Sequence, residues 1–342
     1  MNLPDFKPLI QALERAVPLL NAHCQAHPIT PDPVVEPDEA LLANPLAGID
    51  SISALTDAER FAEAEVRQRT LVYVLGLAAK IKPAYQVFFV LATRNHGRIL
   101  HLADRDDAAL PVELEATRML FDLVLATTEA GDHPTSPASL LPLPTQLAEL
   151  ADVTSHLGAH LQRIGQSAAA VDVLGRVVGL QQHWSKKQPG MWSYLDGSLV
   201  RYADALEQAG KHSEAVDVIK GHLMERRLRD PGASQAPLLV RLSRLSHALG
   251  RYEEALRAAD QAAEDDPQLE SARWRQIDAL GALADEATRK RQLRRALDYL
   301  ERQMEVCRLA GESNPEAQQL YEDCQPELVA LKAEVARMAR RG

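Results

Sequence analysis

The chain has 342 residues, of which 46% are hydrophobic, enough for a large buried core, and this composition excludes wholesale disorder. Aromatic residues make up only 4%. Because strands favour aromatic and β-branched side chains, this scarcity of aromatic residues predicts helices and nearly excludes an all-β fold. The formal net charge of −10 argues against nonspecific attraction to nucleic acid or to an anionic membrane.

Cysteine content and the first residues indicate a compartment. The three cysteines, Cys24, Cys307 and Cys324, are too few for a disulfide scaffold and suit a reducing environment. The N-terminus has neither the basic nor the apolar segment of a signal peptide, and no uncharged apolar run approaches the roughly 20 residues that a bilayer needs. We therefore expect a cytoplasmic protein without membrane insertion.

Two proline-rich stretches divide the N-terminal part of the chain. One runs from Pro28 to Pro45 and the other from Pro134 to Pro144. Because proline removes a helical donor and biases the preceding residue toward extended conformations, both stretches are typical of linkers. The sequence predicts an N-terminal helix with a linker over 1–56, a helical bundle over 57–131 and a second linker over 132–147.

Three helices are expected inside the bundle. Apolar residues recur at helical spacing from Asp57 to Ala79, and Pro83 ends or kinks that helix. The apolar run that begins at Tyr85 is compatible with a buried strand or a buried helix, and its helical neighbours favour a helix. A third helix is expected to start at Pro111, because proline suits the first turn.

Internal repetition dominates the C-terminal part of the chain. A turn followed by a helix start and an alanine occurs four times, with Arg291 in place of glycine in the last unit. A small residue stands 12 positions before each alanine, which is the mark of two helices that cross closely. The pairs are Gly158 with Ala170, Ala203 with Ala215, Ser243 with Ala255, and Ala284 with Ala296.

The third unit, with Gly250, Tyr252, Ala255 and Pro267 at the family's positions, resembles a tetratricopeptide repeat (TPR). The four alanines are 45, 40 and 41 residues apart, whereas TPR units repeat every 34 residues or so, and therefore the helices or loops must be longer than usual. The sequence predicts TPR-like repeats over 148–312 and capping helices over 313–342. The expected fold class is all-α, an N-terminal helical bundle followed by a TPR-like α-α superhelix.

The TPR resemblance also implies a binding surface. In that family the first helix of each hairpin lines a concave groove that holds a peptide or protein segment. Any one of the residues at these positions could equally be an ordinary solvated side chain. The predicted groove residues are Gln162, Arg163, Asp204, Glu207, Gln208, Arg244, His247, Asp285 and Arg289.

Candidate metal ligands are present, but no complete site is identifiable from the sequence. Asp152, His156 and His160 are spaced four apart and could present three ligands from one helix, although a polar helix face explains them as well. His23 and His27 have the same spacing and lack a second ligand pair. No catalytic motif occurs, and neither a metal nor a cofactor is predicted.

These patterns predict a protein-interaction scaffold or adaptor that is not an enzyme and binds a protein or peptide, with homo-oligomerisation left open. One alternative is a peptide-sensing regulator. A second is a metal-dependent enzyme whose site lies between the bundle and the superhelix, with His96, His101 and the turn at Asp104 as candidates.

Overall fold

The computed structural model describes residues 7–28, 47–130, 143–186, 192–230, 232, 234–312 and 314–340. Within these ranges the regular structure consists of fourteen α-helices and one short 3₁₀ helix, with no strand. The all-α prediction is confirmed. The chain divides into two compact units, Met1–Ala205 and Leu206–Gly342.

The first unit begins with a helix that packs onto later ones. Leu9, Leu13 and Leu20 of the first helix share a core with Leu157 and Leu174. The helices are α1 (Lys7–Ala26), α2 (Ala47–Asp57), α3 (Phe61–Ile81), α4 (Gln86–Leu102), α5 (Asp106–Ala130), α6 (Leu143–Arg163), α7 (Ser167–Ser185) and α8 (Trp192–Gln208), whose last three residues belong to the second unit.

The second unit continues with helices of the same kind. Its last helix is capped by Asn314, whose side chain accepts a hydrogen bond from the N–H of Glu316 at 2.8 Å. The helices are α9 (His212–Arg229), α10 (Ala236–Ala248), α11 (Tyr252–Asp265), α12 (Glu270–Arg289), α13 (Leu293–Gly311) and α14 (Pro315–Ala339).

One type of turn recurs six times in the described chain. Its central residue has φ between 55° and 76°, the left-handed region. The next residue donates its N–H to a carbonyl five positions back, as Arg251 does to Ser246 at 2.9 Å. This bond satisfies a carbonyl at the end of one helix while the chain reverses into the next. The turn residues are Glu59, Asp104, Gly165, Gly210, Gly250 and Arg291.

The part of the chain predicted as a bundle, 57–131, is mostly helical up to Ala130, and its helices belong to hairpins of the repeat type. Glu59 and Asp104 occupy the turn position that Gly165 holds between α6 and α7. Gly97 and Ala109 stand 12 residues apart around Asp104, as Gly158 and Ala170 do around Gly165. The repeat therefore begins earlier than the sequence search found, because acidic residues replace the turn glycines there.

Two helix boundaries differ from expectation. The helix predicted from Asp57 to Ala79 is present as α3, but it begins at Phe61, because the turn at Glu59 separates it from α2, which ends at Asp57. The helix expected to start at Pro111 begins at Asp106, where acidic side chains favour the positive end of the helix dipole. The run after Tyr85 is helical, as favoured, and forms α4.

Small residues mark the places where helices approach closely. A side-chain carbon added to Gly158 of α6 would lie only 2.5 Å from Leu174 Cγ on α7. In the second unit, Ala284 and Ala296 share one core cluster with Leu300. The shared core supports the predicted pairing of small residues in the last hairpin, and α6 and α7 approach closely at the predicted glycine.

Two predicted segments cannot be compared with the structure in full. Most of the linker predicted within 1–56, residues 29–46, lies outside the described residues, and so do residues 132–142 of the second linker. From Leu143 onward that second stretch is already part of α6. Within the ranges given above, no helix combines the length and the apolar character needed to cross a bilayer.

Candidate functional site

Three histidines from two helices of the first unit meet at Glu113 of α5, which is only 1% exposed. His101 of α4 approaches carboxylate Oε1 through Nε2 at 2.8 Å, and His156 of α6 approaches the same oxygen through Nδ1 at 2.9 Å. His160 of α6 reaches Oε2 through Nε2 at 2.9 Å. We call His101, Glu113, His156 and His160 the His–Glu cluster.

Glu113 occupies a position that belongs to the core in other hairpins. It follows its turn residue by nine positions, and the same count leads to buried aliphatic residues in four hairpins, Leu174, Ile219, Ala259 and Leu300. In the hairpin that turns at Glu59 it leads to Gln68, a buried amide that donates to the carbonyl of Ala92 at 2.7 Å. Its neighbour across the helix crossing is Gly97, where an added side-chain carbon would lie 2.7 Å from Glu113 Cγ. A carboxylate therefore stands where the fold requires only an aliphatic group.

Charged side chains around the His–Glu cluster form hydrogen bonds with the three imidazoles. Asp106 accepts a hydrogen bond from His101 Nδ1 at 2.5 Å, and Arg163 pairs with Asp106 and also donates to His160 Nδ1. Arg201 donates to His156 Nε2 at 3.0 Å. Each ring is thus bonded at both nitrogens, which fixes its orientation.

These bonds assign the protons. His156 and His160 accept from an arginine at one nitrogen and donate to Glu113 from the other, so both rings are neutral. His101 faces carboxylates at both nitrogens and donates to each, so it is an imidazolium when no metal is bound.

The pKa values follow from this arrangement. Burial alone raises the pKa of the Glu113 carboxyl, but hydrogen bonds from three imidazoles outweigh burial and hold that pKa far below its ordinary value. Burial opposes charge on His101 as well, yet its bonds to Glu113 and Asp106 leave its pKa raised. For His160, burial dominates and lowers the pKa. The cluster therefore holds a permanent buried anion.

The cluster combines residues that the sequence proposed for two different sites. His156 and His160 were predicted as metal ligands on one helix together with Asp152, but Asp152 instead accepts a hydrogen bond from Arg94 at 2.5 Å. His101 came from the enzyme hypothesis.

The other two candidates of the enzyme hypothesis lie elsewhere. His96 faces Glu65 at 3.3 Å, and Asp104 is an exposed turn residue with φ 55°. Sequence reasoning missed Glu113 altogether. Aligning the turn at Asp104 with the turn at Gly165 would have shown a glutamate at a core position.

Only one set of three or more potential metal ligands converges within the described ranges. It consists of His101, Glu113 and His160, whose ligand atoms all lie within 4.8 Å of one another. His23 and His27 stack with ring centroids 4.4 Å apart on α1.

Four of the six groove residues predicted in the second unit lie on two neighbouring helices, and Glu207 and Gln208 lie at the end of α8. The first helices of successive hairpins, α10 and α12, contact each other. Arg244 of α10 pairs with Glu207, and His247 packs edge-on against Tyr252 with ring centroids 5.1 Å apart. The exposed members of the set are Gln208, Asp285 and Arg289.

The groove residues predicted in the first unit differ in exposure. Gln162 and Asp204 are half-buried, whereas Arg163 is exposed and pairs with Asp106 and His160. Arg163 therefore belongs to the surroundings of the His–Glu cluster. That the nine residues form one groove stays a prediction.

No protein-family model matches the chain, and no curated protein matches it either. Solved structures that align with it include a kinesin light chain protein of Podosopora anserina with nearly identical TPR-like repeats, at 17% identity and a TM-score of 0.42 over 66% of this chain and 95% of that one. YrrB, a TPR protein with an unusual peptide-binding site, aligns at 16% identity and a TM-score of 0.35 over 68% and 94%. Residues 1–338 of Acl4, an assembly chaperone of RpL4, align at 16% identity and a TM-score of 0.42 over 86% and 99%.

Likeness at this level carries no conclusion about function. The architecture rests on the chain's own geometry, namely the shared left-handed turn and the small residues at helix crossings. On those features, the described chain is an all-α protein built of TPR-like helical hairpins.

Proposed function

We propose that the chain is a protein-interaction scaffold that binds a peptide or protein segment along the face formed by α10 and α12. The observation that carries the proposal is the contact between these two first helices, which places their predicted groove residues on neighbouring elements. Asp285 and Arg289 on this face are exposed, and Arg244 is half-buried.

The face suits an extended or helical guest. Its charges have both signs, since Arg244 and Arg289 stand with Asp285 on the face and Arg244 also pairs with Glu207 of α8, so it can orient a polar segment rather than merely attract one charge. Because the helices are already packed, the surface loses little conformational entropy when it binds. Binding of this kind needs no catalytic group.

Site-specific photo-crosslinking tests the proposal. A benzophenone amino acid would be placed at Asp285 on the face, and as a matched control at Asp298, an exposed aspartate of α13, the second helix of its hairpin. We expect a discrete crosslinked partner from position 285 and none from position 298. The same products from both positions would contradict the assignment of the face.

A charge reversal provides an independent check. Arg289→Glu changes the proposed face, and Arg257→Glu changes an exposed arginine of α11, the second helix of its hairpin. We expect the partner identified by crosslinking to be lost from Arg289→Glu and retained by Arg257→Glu in a binding assay. Equal binding by both variants would overturn the proposal.

The two alternatives differ in what supports them. A peptide-sensing regulator would change shape or oligomeric state on ligand addition, and this stays a prediction. The metal-dependent alternative has a specific observation in its favour, because His101, His156 and His160 meet at Glu113 between α4, α5 and α6.

A further inference from the structure

We propose that the His–Glu cluster binds one divalent transition-metal ion of the zinc class, held by His101 Nε2, His160 Nε2 and a carboxylate oxygen of Glu113. This inference is independent of the groove proposed above. The three ligand atoms lie within 4.8 Å of one another. Tetrahedral bonds of about 2.0–2.1 Å place ligand atoms roughly 3.3 Å apart. His101 lies 2.8 Å from Oε1 and His160 lies 2.9 Å from Oε2 of the same carboxylate, so each ring is within about half an ångström of that separation from one oxygen. One ring must also move toward the oxygen that the ion takes, and the separations within the 4.8 Å set must close to match.

The donor set matches the chemistry of such ions. Imidazole nitrogen suits zinc, copper, iron and nickel, whereas magnesium and calcium prefer oxygen ligands throughout. Two histidines and one glutamate supply three protein ligands and leave a fourth position open to water or another small ligand. The exchange-labile divalent ions of this class are therefore the expected occupants.

His101 is already oriented as a ligand. Its Nδ1–H donates to Asp106, which leaves Nε2 as the nitrogen that faces Glu113. In metal sites, a ligating histidine usually donates its other ring N–H to a carboxylate, and this bond fixes both the tautomer and the orientation of the ring. Metal binding removes the Nε2 proton of His101, and this proton leaves to water.

His160 needs a change of tautomer. Its Nε2 proton must move to Nδ1, where Arg163 now donates. Arg163 can leave, because it keeps Asp106 as a partner and its side chain is 39% exposed. No net proton is released at this ring.

His156 acts as a positioning residue rather than a ligand. Arg201 holds its Nε2, and its Nδ1–H donates to Glu113 Oε1 at 2.9 Å. This bond steadies the carboxylate while the other two rings take the metal.

Packing alone does not account for the cluster. Leu174 and Leu300 fill the position of Glu113 in other hairpins, so the fold does not require a polar group there. A buried charge with its partners is on balance no more stabilising than aliphatic packing of the same volume. A metal ion can reach the cluster from solvent at His101 and Asp106, because their side chains are 22% and 44% exposed, whereas those of Glu113 and His160 are almost fully buried.

The test uses the full chain after removal of metal with a chelator. Zinc would be titrated and the bound metal measured by elemental analysis after gel filtration, with cobalt absorption as a spectroscopic probe of coordination. We expect one zinc ion per chain, and binding at least about 100-fold weaker in Glu113→Gln and His160→Gln. The matched control is His96→Gln, which alters another buried His–Glu pair on α4 and should keep the ion.

Two further variants separate ligation from adventitious binding. Asp106→Asn removes only the outer partner of His101 and should weaken binding about 10- to 100-fold. A double His23→Gln, His27→Gln variant should bind zinc as the wild type does. If instead this double variant loses the ion, or Glu113→Gln keeps it, the proposal fails.

Folding of each variant would be checked by circular dichroism. Should the buried substitutions fail to fold, His101→Gln replaces them, because that side chain is partly exposed and its loss is tolerated more easily. Absence of zinc binding by the folded wild-type chain would also overturn the proposal.

Discussion

Arg291 stands at a turn where three other hairpins have glycine, and its φ is 58°. An L side chain in the left-handed region destabilises the folded chain by about 1–2 kcal/mol. Glycine removes this strain, but it also increases the entropy of the unfolded chain, which offsets about 0.5–1 kcal/mol of the gain. We therefore expect Arg291→Gly to raise the free energy of unfolding by about 0.5–1 kcal/mol. Urea denaturation followed by circular dichroism measures this change.

The matched control is Arg302→Gly, in the middle of α13. Arg302 is also exposed, but it lies in a helix interior, where glycine costs about 0.7–1 kcal/mol relative to ordinary residues, and the substitution also removes an exposed ion pair with Asp260. The two substitutions should therefore shift stability in opposite directions. A loss of stability in both would show that the turn at Arg291 is not strained.

Single residues were predictable where their chemistry is characteristic. Gly165, Gly210 and Gly250 mark turns because glycine tolerates the left-handed region without strain. Glu59 and Asp104 occupy the same geometry and carry no such mark. Glu113 was invisible for a related reason, since helical periodicity assigns a glutamate to the surface, whereas here three imidazoles make its burial tolerable.

Helices α6 and α7 cross where Gly158 leaves room for Leu174. Gly158→Ala puts a carbon 2.5 Å from Leu174 Cγ, and relief requires a shift of a branched, fully buried side chain. Such overpacking typically costs about 1–3 kcal/mol, so we expect a loss of this size in the free energy of unfolding. Thermal and urea denaturation of the full chain measure it.

Gly179→Ala provides the comparison within α7. An added carbon there meets no atom within 4 Å, so the substitution should only improve helix propensity, by up to about 1 kcal/mol. If Gly158→Ala were equally neutral or stabilising, the close crossing of α6 and α7 would be wrong.

Helical elements were predictable from spacing, and their ends less so. The run after Tyr85 has no distinct polar face, so its helical state followed only from its neighbours. Pro111 looked like a helix start, but it lies within α5, five residues after Asp106. Acidic residues in the first turn fixed the start there, and proline was tolerated at an exposed position close to it.

At the scale of the whole molecule, the proposed metal should affect one unit only. All three ligands lie within Met1–Ala205, and a ligand slows the openings that break its own site. We expect zinc to slow amide hydrogen exchange in α4, α5 and α6 and to leave α12 and α13 unchanged. Mass spectrometry with and without zinc measures this.

The same exchange experiment on Glu113→Gln is the control. Zinc should then slow exchange nowhere, because the anionic ligand is missing. Equal slowing in both units of the wild-type chain would indicate binding at scattered surface sites instead.

The repeat pattern predicted the number of C-terminal hairpins but not the full array. Four units were visible because three of them keep glycine at the turn. The sequence did not reveal the hairpins α2–α3 and α4–α5, because Glu59 and Asp104 replace glycine at their turns. The His–Glu cluster forms where the α4–α5 hairpin packs against α6. Pairings between residues so far apart in sequence follow from packing and cannot be deduced from local periodicity.

The presence of Glu113 at a core position restricts how this part of the chain can change over generations. Replacing one member alone leaves a buried charge without its partner, which typically lowers the free energy of unfolding by about 3–5 kcal/mol. Replacing the carboxylate and its imidazoles together by aliphatic residues would be close to neutral for folding. The four residues should therefore be inherited or lost as a block.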